Sequence, residues 1–220
     1  MNEENLVAGI VSGIAQTIIG HPLDTFKVWK QQRLTPVFAH VFKGLKYPLV
    51  TGPLITGLQF SAAMEASRRI GLDNRVLADA IGGGASGIVT GLCLAPVDRY
   101  KIAKQSVSRM PQYGLMSCFA REIPASAIYF GSYSMLRQSE VPVFAAGSAA
   151  GMLSWLLTYP MDIIKTQVQS GESRTIMQAI SKMQRGQISS TAGVGFCLAR
   201  AFITNGVGFV AYEEAMNLIL

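Results

Sequence analysis

Residues 21–31 read HPLDTFKVWKQ, and the pattern returns twice, as APVDRYKIAKQ at 95–105 and YPMDIIKTQVQ at 159–169. Proline stands at Pro22, Pro96 and Pro160. An acid follows two residues later at Asp24, Asp98 and Asp162, a lysine five after the proline at Lys27, Lys101 and Lys165, and a glutamine nine after it at Gln31, Gln105 and Gln169. Upstream, each copy carries a GxxxG pair: Gly9/Gly13, Gly83/Gly87 and Gly147/Gly151, the second glycine always nine residues before the proline. One such match is weak; three in phase constitute a repeat.

Working outward, six low-charge segments appear at roughly 5–26, 48–64, 76–97, 115–136, 143–163 and 192–212. Each approaches the length needed to cross a hydrocarbon core of about 30 Å. Only 15% of the 220 residues are charged, against about 25% in an ordinary soluble domain. The 22 glycines are dispersed along the chain, which suits close helix packing in lipid rather than a linker. Alternating strand patterns are absent, so an all-α membrane fold is expected, with six transmembrane helices in three parallel two-helix repeats around a pseudo-threefold axis. The repeats are set at 1–73, 74–139 and 140–220 of a single domain.

The net charge of +6 sorts with this topology. The side bearing the three motifs holds 13 Lys/Arg against 4 Asp/Glu, and the opposite side 4 against 8. The basic side should face the cytoplasm or matrix. No nucleic-acid module accompanies the charge. The start, MNEENLVAGI, is acidic and lacks the basic region of a secretory signal.

Proline inside a helix removes an amide donor and kinks it, so Pro22, Pro96 and Pro160 are expected to tilt three helix ends toward a common axis. Asp and Lys three apart share a helix face. They could pair within a helix, or cyclically as Asp24–Lys101, Asp98–Lys165 and Asp162–Lys27, forming a gate braced by Gln31, Gln105 and Gln169. The even helices end in a weaker counterpart: MEASR (64–68), YSMLR (133–137) and YEEAM (212–216). The same cyclic rule gives an outer gate of Glu65–Arg137 and Glu213–Arg68, while Ser134 and Met216 cannot pair ionically. Two ionic links against three predict a resting form closed on the motif side and open opposite.

These residues resemble the mitochondrial carrier family, through PxDxxKxxxQ three times, the GxxxG pairs and the partial [FY][DE]xx[RK] pattern. The resemblance covers essentially the whole chain. It implies six transmembrane helices, one central site and alternating access between two salt-bridge gates in the mitochondrial inner membrane, multi-pass, with the motif side toward the matrix. REIPASAIYFGSY (121–133) and LARAFITNGVGFVAYEEAM (198–216) are similar to carriers of carnitine, acylcarnitine and basic amino acids. By that likeness, substrate contacts map to Arg121, Glu122, Arg200 and Asn205, with a further contact on the second helix near Pro53 to Gly57. The chemistry also stands alone: mid-membrane charges normally face an interior or a cavity. Arginine's fork suits a carboxylate, and Glu122 suits an amine or quaternary ammonium. Alternatively, Glu122 and the arginines neutralise one another structurally.

The chain departs from the family in length, 220 residues against a usual figure near 300, and only the third repeat retains a convincing surface helix, SRTIMQAISKMQ (173–184). Two readings follow: an alternating-access carrier of a small carboxylate-bearing, zwitterionic metabolite, or a transport-inactive carrier-like subunit of a larger mitochondrial membrane complex. The expected partners are a small-molecule substrate and membrane lipid, with cardiolipin a candidate, and no nucleic acid; a transporter would be a monomer. Cys93, Cys118 and Cys197 are far apart, without CxxC or metal spacing, so no metal or cofactor is expected. No enzyme is expected either: GGGAS (82–86) lacks GxGxxG and a Walker lysine, and no triad signature occurs.

Overall fold

Each of the three proline-bearing runs is the tail of a long helix. The computed structural model describes residues 3–32, 45–105, 115–169, 173–187 and 194–219, with side chains described outside 24–32, 46–48, 96–105 and 196. The fold is all-α: α1 (Glu3–Gln32), α2 (Lys46–Ile70), α3 (Arg75–Gln105), α4 (Leu115–Gln138), α5 (Val143–Gln169), α6 (Ile176–Gln184) and α7 (Val194–Ile219). The six long helices form a closed ring. Each packs on its predecessor and successor, α7 returns to α1, and the short α6 lies against α5.

Neighbours run antiparallel around the ring. Ser67 Oγ of α2 donates to Asp79 Oδ1 of α3 at 2.6 Å, and Ser154 Oγ of α5 donates to the Ala125 carbonyl of α4 at 2.8 Å. Between α1 and α7, Ser12 Oγ donates to the Gly208 carbonyl at 2.7 Å, and Tyr212 Oη donates to Asn5 Oδ1 at 2.9 Å. The tails of α1, α3 and α5 therefore share one end of the ring with the starts of α2, α4 and α7.

The GxxxG pairs set the intimacy of three of these joints. A Cβ on Gly9 would lie 2.7 Å from Gly57 Cα, and one on Gly13 2.5 Å from Pro53 Cα. On α3, a Cβ on Gly83 would lie 2.5 Å from the Ser126 carbonyl, and one on Gly87 2.6 Å from that of Glu122. On α5, Gly147 and Gly151 give way to Phe209 and Asn205. Small residues let two helix backbones approach this closely, gaining dispersion contacts that do not depend on water.

The distribution of polarity is inverted relative to a soluble core. Ser12, Ser86, Ser126, Ser148, Ser154, Thr158, Glu122 and Lys165 are buried, while Val7, Val11, Leu54, Ile81, Leu92, Leu156, Leu157 and Phe202 are exposed. Among the described residues, two helices contain a stretch long and apolar enough by composition to cross a membrane, Glu3–Leu23 and Arg75–Ala95, fewer than the six spans expected. The others mix serine, threonine and glycine, and in α4 an ion pair, into their apolar runs, and much of that polarity is turned inward.

Pro22 and Pro160 lie within continuous helices that extend through the motif, to Gln32 and Gln169, and Pro53 of α2 and Pro124 of α4 also lie inside helices. The surface helix expected at 173–184 forms as α6, with Thr175 Oγ1 capping its first turn by accepting from the Gln178 amide at 3.2 Å.

Because Gly87 meets backbone on α4, Gly87→Ala is expected to force α3 and α4 apart and cost about 1–3 kcal/mol. Gly195→Ala, where an added Cβ meets nothing within 4 Å, should be close to neutral. Melting temperatures of the two variants in detergent check this.

Candidate functional site

The ring encloses a cavity of about 230 Å³. Its lining combines Gln16 of α1, Thr56, Gln59 and Phe60 of α2, Thr90 of α3, Arg121, Glu122, Ser126 and Tyr129 of α4, Ser154 and Trp155 of α5, and Asn205 of α7. Every long helix contributes, so the cavity belongs to the ring rather than to one joint.

Its charged wall is built by α4 and α5. Glu122, only 3% exposed, is gripped from two sides: Arg121 Nη1 donates to Oε2 at 2.6 Å, and Lys165 Nζ donates to Oε1 at 3.1 Å. Arg121 Nε also lies 3.6 Å from Asp162 Oδ1, and its guanidinium sits 4.7 Å above the Trp155 ring. Two cations and two carboxylates thus form one chain, Lys165–Glu122–Arg121–Asp162, with no formal net charge. Such a cluster is tolerated in low dielectric because each charge is compensated where water is excluded. Arg121 and Glu122 are sequence neighbours and point in different helical directions; the long arginine stem closes the gap.

Of the residues expected to contact substrate, Arg121, Glu122 and Asn205 line the cavity, as do Ile55 and Thr56 of the second-helix segment. Arg200 lies outside the lining, beside Gly20 of α1. Asn205 Nδ2 donates to the Ala201 carbonyl at 2.9 Å, which leaves its amide oxygen available. Gln59, Gln16 and Trp155 were not anticipated. Gln59 Nε2 donates to Ser126 Oγ at 3.1 Å and links α2 to α4 across the cavity.

The motif-side gate is described only in its third copy. The side chains of Asp24, Lys27, Gln31, Asp98, Lys101, Gln105 and Pro96 lie outside the described residues. Asp162 and Lys165 join Arg121 and Glu122 of the cavity wall, a connection that a rule confined to the motifs cannot foresee. Gln169 donates to Cys118 Sγ at 3.1 Å, tying the end of α5 to the start of α4.

At the opposite end the pairing differs from the cyclic expectation. Arg137 Nε lies 3.5 Å from Glu213 Oε1 rather than pairing with Glu65, and Tyr133 Oη donates to the same carboxylate. Glu65 pairs with Arg69 of its own helix at 2.8 Å, which helps hold its carboxyl below the usual range. Arg68 is exposed and makes no described ion pair with Glu213. The local i,i+4 partner was overlooked because only Arg68 fits the repeat pattern.

This end is also closed in the conformation described, contrary to the expectation from counting ionic links. Phe60, Phe130 and Phe209, from α2, α4 and α7, meet on the axis and are each at most 2% exposed. Phe60 packs edge-on to Phe130 at 5.2 Å and to Phe209 at 5.5 Å, and Tyr133 stacks on Phe209 at 3.5 Å. Aromatic packing of this kind closes the end without charge.

The stretch 139–220 matches the family model described as mitochondrial carrier protein. Similarity to curated proteins runs further. A mitochondrial arginine transporter of Arabidopsis thaliana is 28% identical over 97% of this chain and 90% of its own length. A mitochondrial basic amino acids transporter of Rattus norvegicus is 27% identical over 98% of this chain and 89% of its own. A mitochondrial carnitine carrier of Saccharomyces cerevisiae is 27% identical over 99% of this chain and 88% of its own. The third repeat therefore resembles a mitochondrial carrier protein, and the similarity to proteins named as mitochondrial carriers and transporters extends over nearly the whole chain. The alignment to the Arabidopsis protein spans 267 positions against a chain of 220, so at least 47 of them (267 − 220) have no counterpart here.

Removing Glu122 should strand two buried cations. Glu122→Ala is expected to destabilise the protein by about 3–5 kcal/mol. Asp162→Asn, at a carboxylate whose side chain is 32% exposed, should cost no more than about 1 kcal/mol. Parallel thermal unfolding in detergent tests that order.

Proposed function

We propose that this protein carries a small, carboxylate-bearing metabolite, zwitterionic in form, across the mitochondrial inner membrane by alternating access. The observation that carries the reading is the balanced charge chain on the cavity wall. Arg121 offers a fork for a carboxylate, and Glu122 offers a partner for an ammonium or quaternary ammonium. A zwitterion inserts one charge of each sign and leaves the site neutral, whereas a simple anion or cation leaves a surplus charge in low dielectric. Trp155 and Tyr129 add faces that suit a cationic headgroup. The relatives named for arginine, basic amino acids and carnitine favour the same chemistry. A cavity of about 230 Å³ is at the small end for ligand sites, which favours an amino-acid-sized solute.

In this reading all six long helices cross the bilayer as three parallel two-helix units, 1–73, 74–139 and 140–220. Exposed apolar side chains on α1, α2, α3, α5 and α7 support it, since lipid rather than water would meet them. The motif end, rich in Lys and Arg, faces the matrix. Arg200, beside α1 toward that end, is a second carboxylate contact for a solute moving through. Asp24, Lys27, Asp98, Lys101, Asp162 and Lys165 serve the matrix gate, braced by Gln31, Gln105 and Gln169, while Arg137 and Glu213 hold the outer one.

Counter-exchange in liposomes tests the proposal. Purified protein is expected to take up labelled arginine, ornithine, carnitine or a neutral amino acid saturably, with Arg121→Ala and Arg200→Ala each reducing uptake by at least roughly tenfold, the loss expected for one charge-assisted contact. Folded protein that exchanges nothing on this panel, on carboxylates or on nucleotides would defeat it.

A further inference from the structure

Lys165 occupies a position that the repeat pattern does not explain. Its place in the motif assigns it to the helix end, yet its ammonium lies 3.1 Å from Glu122 Oε1 and the residue is only 7% exposed. Glu122 faces the cavity, so the carboxylate best placed to receive a substrate cation is already bonded to a cation of the protein. Its other oxygen is held by Arg121 at 2.6 Å, so the group best placed to receive a substrate carboxylate is engaged as well.

We propose that Lys165 is a specificity-determining residue, a resident competitor that a solute's cationic group must displace from Glu122. The inference rests on the transport reading above and names the feature that selects among solutes. A zwitterion exchanges like for like: its ammonium takes the place of Lys165 at Glu122, its carboxylate takes the place of Glu122 at Arg121, and the number of buried ion pairs is kept. A solute with a carboxylate alone draws Arg121 away without replacing Lys165, leaving the Lys165–Glu122 pair intact. Because Lys165 also belongs to the α5 motif, filling the site and freeing the motif lysine become one equilibrium, as reciprocal linkage requires.

Equilibrium binding to full-length protein in detergent, measured calorimetrically with L-arginine, L-carnitine and cation-free butyrate, separates the outcomes. Lys165→Met is expected to tighten arginine and carnitine by roughly tenfold while changing butyrate by less than about twofold, and Lys165→Arg should bind like the unmodified protein. Unchanged or weaker binding of the cationic probes, or an equal shift for all three, would overturn the proposal while leaving transport in place. Unmodified protein that binds none of the probes would overturn both. Acylation of lysines followed by mass spectrometry applies to the unmodified protein whether or not the variants fold. Saturating arginine should raise labelling at Lys165 while butyrate does not, and labelling that falls or stays level with arginine would contradict displacement.

Discussion

Glu122 sits 3% exposed in the wall of a helical ring, and its charge is kept there by two cations at once. An isolated carboxylate in such surroundings is strongly disfavoured. Arg121 from its own helix and Lys165 from the next one supply compensation, and Asp162 in turn balances Arg121. The joint between α4 and α5 is therefore held by charge, while the glycine-bearing joints between α1 and α2, α3 and α4, and α5 and α7 are held by close backbone contact. That contrast has a mechanical meaning. Glycine-packed pairs are held by close backbone contact that has no alternative partner, whereas an ion-paired seam can change partners because desolvation offsets much of its attraction.

The two ends of the ring use different physics. The end formed by Phe60, Phe130, Tyr133 and Phe209 is packed by aromatic rings, with Arg137, Glu213 and Tyr133 bonded just beyond. The described part of the motif end relies on Asp162, Lys165 and the Gln169–Cys118 contact, and its charges connect directly to the cavity wall. In the proposed reading, a solute that competes for Arg121 and Glu122 acts on the second end without first disturbing the first. Polar side chains turned inward and apolar ones turned outward complete the arrangement, with lipid as the natural surroundings of the outer face.

Much of this was legible in the sequence, and the remainder was hidden for specific reasons. Three copies of a motif at constant spacing mark the helix tails, and GxxxG nine residues upstream of each proline marks the face on which the next long helix lies, because both signals are local and periodic. Arg121, Glu122 and Asn205 could be selected because charge and amide are conspicuous in apolar runs. The Lys165–Glu122 bond was not visible, since it depends on the relative height of α4 and α5 and not on any spacing within one helix. The aromatic closure did leave a signal: Phe60, Phe130 and Phe209 each precede Glu65, Ser134 and Glu213 by four or five residues. Counting only ionic links concealed it, and the outer end was read as open when aromatic packing holds it shut. In α2 and α4 the apolar character of the span is harder to see, because serine, threonine and, in α4, the Arg121–Glu122 pair interrupt it while several of these groups turn inward.

The central claim is that one cavity, walled by Glu122 and Arg121, is reached alternately from the two sides of the membrane. Its most direct test places a single cysteine at Ser126, which lines that cavity, after Cys93, Cys118 and Cys197 have been replaced. Labelling by a membrane-impermeant thiol reagent is then measured from each side of oriented liposomes. The account predicts that labelling depends on the side and that an exchangeable zwitterion on the opposite side changes its rate. Equal labelling from both sides at once, or labelling indifferent to every solute that the protein binds, would contradict it.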